Sequence, residues 1–213
     1  MKNLSVKTQQ TYLAIGAIIA WFAVVVQFYL LIVNSIAAVP ETIIRFFSFY
    51  TILTNILVAL CFTVLLLKPK SGWGRFFSKS TTATAIAVYI TIVGIVYNII
   101  LRFIWNPQGL QMVVDESLHL IIPVLFILYW LIFAPKAGLR WKNVFPWLIF
   151  PFVYLLLILI RGALSGFYPY PFIDVKTLGY NKVLLNSGGL CIAFLLLSLL
   201  FVAIAKMMST YSR

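Results

Sequence analysis

Six apolar runs, each about twenty residues long, occupy most of this 213-residue chain, and that repetition restricts its fold more than any other feature. In hydrocarbon the backbone must satisfy its own hydrogen bonds, so only helices and closed barrels can cross. The runs predict helices over about 12–34, 45–67, 82–105, 117–134, 144–165 and 186–206, each close to the span of a bilayer. With 63% hydrophobic residues, 9% charged and a mean hydropathy of +1.07, too little polar surface remains to cover a water-soluble core. The expectation is an all-α, polytopic integral membrane protein: a six-transmembrane-helix bundle forming one domain over 1–213. The first ten residues are polar, and the apolar run after them is too long for a signal-peptide core, so it reads as a retained helix.

Charge is distributed unevenly between the predicted connections. Glu41, Asp115, Glu116 and Asp174 fall in the first, third and fifth loops. The other loops and both tails carry Lys2, Lys7, Lys68, Lys70, Arg75, Lys79, Lys136, Arg140, Lys142, Lys206 and Arg213, and no acid. Short loops rich in Lys and Arg stay in the cytoplasm, so both termini are expected there. The formal charge of +12 then reflects topology and attraction to anionic lipid rather than to nucleic acid. Cys61 and Cys191 both fall inside spans, where a thiol acts as a small hydrophobe rather than as half of a disulfide framework.

Polar side chains inside spans are costly and turn toward the bundle interior. On the acid-bearing side, the second predicted helix carries Arg45, then Ser48, Thr51 or Ile52, and Asn55 at spacings that share one face. The third ends in Asn98 and Arg102, the fourth begins with Glu116 and His119, and the fifth ends in Arg161. Each residue has a plain reading. Arginines near helix ends snorkel to head groups, hydroxyls bond their own helix, and asparagines tie helices together. Convergence of a hydroxyl, an imidazole and amides at one depth favours a site over these independent roles. His119, the only histidine, lies four residues before Pro123, which has no N–H to offer the His119 carbonyl. The helix should loosen there and leave an acceptor needing a polar partner or a water-filled cavity. An imidazole beside a Ser or Thr hydroxyl can activate it as a nucleophile, and Arg or Asn can support the oxyanion.

Glu116-x-x-His119 has the spacing of half a di-iron site, but the second motif and further carboxylates are missing, so no metal or other cofactor is expected. In the connection 166–185, the run Phe167-Tyr168-Pro169-Tyr170-Pro171-Phe172-Ile173-Asp174 cannot be helical and is expected to form an ordered cap.

Several stretches together resemble the androgen-induced-protein and androgen-dependent TFPI-regulating-protein-like membrane proteins, the bacterial branch more closely than the animal one. They are Arg45-Phe-Phe-Ser-Phe-Tyr-Thr-Ile-Leu-Thr-Asn55, Tyr97-Asn98 through Arg102, His119 to Pro123, and Arg161-Gly162 leading to the Tyr-Pro-Tyr-Pro segment. The resemblance covers all six spans and implies a bacterial cytoplasmic-membrane protein. Animal members are intramembrane hydrolases that use a threonine and a histidine on fatty-acid esters of hydroxy fatty acids. By resemblance the histidine falls on His119 and the nucleophile on Ser48, with Thr51 one turn deeper.

The functional expectation is a lipid-ester hydrolase of the serine/threonine type, with Ser48 or Thr51 as nucleophile and His119 as base. Asn55, Asn98, Arg102, Arg161, Tyr168 and Tyr170 are the candidate substrate-binding residues. Its partners would be membrane lipids and a lipid-like substrate, with no nucleic acid. The alternative is a non-enzymatic protein that binds or transports an anionic lipid or small molecule through its arginines. A third reading is a structural partner subunit.

Overall fold

The computed structural model describes residues 5–211, the last of them by its backbone. Lys2 and Arg213 of the charge argument lie outside the described residues. The described residues are mostly helical, without strands, and six segments are long and apolar enough to cross a membrane. It is a multi-pass membrane protein. The helices are α1 (Val6–Asn34), α2 (Val39–Phe47), α3 (Tyr50–Leu67), α4 (Gly72–Phe77), α5 (Ser80–Ile99), α6 (Leu110–Glu116), α7 (Ile122–Ile132), α8 (Val144–Ser165) and α9 (Val175–Tyr211).

Four boundaries differ from expectation, each for a local reason. α1 starts at Val6 because the Ser5 hydroxyl caps it, accepting from the Thr8 N–H at 3.2 Å. The second span is two helices with a break at Ser48 and Phe49. The fourth span begins at Leu110, directly after Gly109 in the left-handed region, so Asp115 and Glu116 are helical rather than in a loop. Its polar residues turn inward: Gln111 Nε2 donates to Gln27 Oε1 of α1 at 2.8 Å. The last helix begins at Val175, where Asp174 accepts from the Lys176 N–H at 2.9 Å, and it is interrupted at Gly179 (φ 73°, ψ 160°). The connection expected over 166–185 is therefore confined to 166–174.

Two prolines inside spans organise the helix contacts. Between α6 and α7, residues Ser117–Ile121 form a π-helical turn in which the Ile122 N–H bonds the Ser117 carbonyl. The Leu118 carbonyl thereby loses its ordinary donor, and the His119 carbonyl loses its own because Pro123 has none. Both acceptors are taken by side chains of other spans. Asn55 Nδ2 of α3 reaches the Leu118 oxygen at 3.2 Å and Asn98 Nδ2 of α5 reaches the His119 oxygen at 3.3 Å. Gly94 permits this approach, since a Cβ there would stand 3.2 Å from the His119 oxygen and 3.4 Å from Pro123 Cβ. The pattern recurs in α8. Pro151 deprives the Trp147 carbonyl, and the Tyr89 hydroxyl of α5 donates to it at 2.7 Å.

At the end of the bundle holding residues 68–79 and 133–143, Lys136 curls over the finish of α7. Its ammonium donates to the carbonyls of Leu131 (2.9 Å), Ala134 (2.7 Å) and Trp130. Cations are favoured at a helix C-terminus, and burial here lowers the Lys136 ammonium to about 8.

If Asn98 serves the carbonyl that Pro123 leaves open, Asn98→Leu should cost about 1 kcal/mol in the native sequence and clearly less in a Pro123→Ala background. Thermal unfolding in detergent of the four members of that cycle measures it. Equal costs in both backgrounds would contradict the assignment.

Candidate functional site

A cavity of about 720 Å³ opens at the acid-bearing end, lined by α1, α2, α3, the end of α5, α6, the π turn and the Tyr-Pro segment. Thr51, Tyr170, Arg45, Asp115, Tyr97 and His119 all face it. Its volume lies within the about 300–1,000 Å³ common for small-molecule sites.

The break between α2 and α3 sets the position of Thr51. The first amides of a helix have no partner within it, and in lipid they must find one. Two tyrosines supply it. The Tyr154 hydroxyl of α8 accepts from the Tyr50 N–H at 3.2 Å and donates to the Ser48 carbonyl at 2.8 Å. The Tyr170 hydroxyl accepts from the Thr51 N–H at 3.1 Å and lies 3.2 Å from Thr51 Oγ1. Tyr170 reaches this depth because Pro169 and Pro171 flank it, with Pro171 opening a 3₁₀ turn over Pro171–Ile173. Burial pushes the Tyr170 phenol up, which keeps it a neutral donor and acceptor.

The two candidate alcohols are thus placed differently. Ser48 Oγ donates to the Ile44 carbonyl of its own helix at 2.6 Å and is not among the lining residues of the cavity. Thr51 is not bonded to its own helix through its hydroxyl. If Tyr170 donates to Thr51 Oγ1, the Thr51 hydrogen is free for another acceptor.

His119 is 8% exposed and stacks on Tyr97, ring centroids 3.9 Å apart at 12°. Its Nδ1 lies 2.8 Å from the Asp115 carbonyl oxygen, one turn earlier, and 3.6 Å from Asp115 Oδ1. A carbonyl can only accept, so Nδ1 carries the proton, and in the neutral ring Nε2 keeps the lone pair. Asn55 Nδ2 ties the two halves together, bonding the Thr51 carbonyl at 2.8 Å as well as the Leu118 carbonyl.

Asp115 was not singled out by sequence, yet it differs from the other three acids. Glu41 pairs with Arg45 (2.8 Å) and Arg161 (2.9 Å), Glu116 pairs with Arg102, and Asp174 caps α9. Asp115 is 6% exposed, faces the imidazole, and its Oδ2 makes no hydrogen bond among the described residues, although Tyr97 and Trp105 face the same carboxyl. Spacing could have found it, since Asp115 precedes His119 by one helical turn.

The remaining expected binding residues are engaged elsewhere. Asn55 and Asn98 hold backbone carbonyls, and Arg102 lies over Tyr97 and pairs with Glu116. Arg161 sits beside the cavity rather than in its lining, its guanidinium 4.9 Å from the Phe167 ring centroid. Arg45 packs over the same ring at 4.6 Å and does line the cavity. Two guanidiniums against one carboxylate leave an excess of positive charge at the mouth. Tyr168 packs against Gly162, where any Cβ would strike its ring. Among the described residues no three His, Cys, Asp or Glu side chains gather as metal ligands, so Asp115 and His119 could supply a metal with two at most. No family model, no curated protein and no solved structure matches the chain.

The hydrogen bond from Arg45, with further help from Arg161, holds the Glu41 carboxyl below its usual range. A carboxyl depressed in the folded state stabilises above its unfolded pKa and loses that contribution as pH falls through the folded one. Thermal stability in detergent should therefore drop as pH falls through and below the ordinary carboxylate range. Glu41→Gln should remove part of that drop. An unchanged acid profile in Glu41→Gln would show the cluster to be inert.

Proposed function

We propose that this protein is an intramembrane hydrolase of lipid esters, with Thr51 as nucleophile and His119 as general base. The observation that supports it is one cavity lined by both Thr51 and His119, with His119 Nδ1 anchored on Asp115 so that Nε2 is the basic nitrogen. Nε2 would take the Thr51 hydroxyl proton as Oγ1 attacks the ester carbonyl carbon. The tetrahedral intermediate collapses, the C–O bond to the alcohol breaks, and the imidazolium returns its proton to the departing alkoxide. Water, deprotonated in turn by His119, then cleaves the acyl-threonine and releases the acid. Asp115 would hold the ring and favour its cationic form during each transfer. The Tyr170 hydroxyl would orient Thr51, and Arg45 would receive a negatively charged part of the substrate. The resemblance in sequence favours the same chemistry. Its setting would be a bacterial cytoplasmic membrane, with the mouth on the non-cytoplasmic side.

The positive excess at the mouth also favours a second reading, the binding of an anionic lipid without turnover. Wild type and single variants incubated with lipid extracts and compared by mass spectrometry separate the two. Hydrolysis requires that Thr51→Ala and His119→Ala each lose about 10²–10⁴ in rate while Ser48→Ala stays active. Retention of an anionic lipid by His119→Ala but not by Arg45→Ala, with no product in wild type, would select binding. Loss of activity in Ser48→Ala with full activity in Thr51→Ala would move the nucleophile to Ser48.

A further inference from the structure

Behind the Thr51–Tyr170 contact lies a second cavity of about 420 Å³. Thr51, Tyr170 and Leu101 line both spaces, so these residues form a shared wall. The second space is walled almost entirely by apolar side chains of α5, α8 and α9, among them Val93, Val96, Phe152 and Phe194. Its polar side chains are mostly engaged: Ser187 donates to the Val183 carbonyl, and Tyr154 and Tyr170 cap α3. The Tyr50 hydroxyl makes no hydrogen bond among the described residues, but it is packed away from the cavity, with Thr54 facing it.

α5 and α8 meet where the Tyr89 hydroxyl bonds Trp147 and the Tyr89 ring lies 5.0 Å from that of Phe150. The cavity lies along these two helices, and Phe145, Ile149 and Phe152 of its wall are 60–66% exposed on the outside of the bundle. In a membrane that outside is hydrocarbon, and fatty chains are the molecules present there at high concentration.

We propose that the second cavity is an acyl-chain subsite, filled from the bilayer between α5 and α8 by the chain of a fatty acyl ester. The chain lies along Val93, Val96 and Phe194, and the ester carbon meets Thr51 at the shared wall. The alcohol half then occupies the polar cavity beside His119. Placement of the ester rests on Thr51 as nucleophile; occupation by the chain does not.

The test uses a long-chain methyl ketone, a non-hydrolysable stand-in for a fatty methyl ester, with a diazirine near the end of its chain. The full protein in lipid nanodiscs is irradiated with it and adducts are mapped by mass spectrometry. Adducts should concentrate on residues 92–96 and 187–194, above the level on the lipid-facing Ile18 and Val25 of α1. They should fall to that level in Val93→Phe and in Ser187→Leu, two separate filling variants. Equal labelling of α1 and the cavity, or undiminished labelling in both filling variants, overturns the subsite. Thr51→Ala should keep the labelling. Concentrated labelling without ester turnover in wild type leaves the subsite standing and removes the hydrolase, whereas Thr51-dependent turnover without concentrated labelling does the reverse.

Discussion

A missing amide hydrogen at Pro123 fixes more of this architecture than any side-chain contact. Within hydrocarbon a carbonyl without a donor costs several kcal/mol, roughly, and no water is at hand to relieve it. The π turn before Pro123 leaves two such carbonyls, and Asn55 and Asn98 answer them from two different helices. Three spans are thereby locked at one depth around His119. Pro151, Trp147 and Tyr89 repeat the arrangement between α5 and α8. In lipid, burial of apolar surface gives helices little reason to prefer one another, so such bonds select neighbours even where each is worth under about 1 kcal/mol.

The same logic accounts for the chemistry around Thr51. A helix that starts inside the membrane needs donors satisfied at its first turn, and the two tyrosines that do so bring a phenol against the threonine hydroxyl. Burial of Asp115 beside His119, while every other acid has an arginine or a helix terminus, leaves one carboxyl facing the imidazole, with Tyr97 and Trp105 beside it. The cavity therefore combines a hydroxyl at a helix start, an imidazole held through Nδ1 and a pair of guanidiniums at its rim.

Much of this was legible in the sequence. Apolar run length is a direct consequence of bilayer thickness, so the six spans could be read. The open carbonyl of His119 followed from Pro123 four residues on, and its need for a polar partner from the absence of water. The break at Ser48 and Phe49 was not legible, because no Gly or Pro marks it and its caps come from residues 104 and 119 positions away. Consequently Ser48 and Thr51 share one continuous helix face in the sequence, and the resemblance puts Ser48 first, although of the two only Thr51 lines the cavity. The starts of α6 and α9 were placed too late because Gln111, Asp115 and Lys176 look like loop residues by polarity alone. Their side chains turn toward Gln27, His119 and Gly166, which hydropathy does not register.

His119 being the only histidine makes its state directly observable. Nitrogen-15 NMR of histidine-labelled protein in nanodiscs, at neutral pH, reports which ring nitrogen carries the proton. A base acting through Nε2 requires a proton on Nδ1, a bare Nε2, and an Nε2 resonance that moves when Thr51 is replaced by alanine. A proton on Nε2, or an Nε2 resonance indifferent to Thr51→Ala, would contradict it.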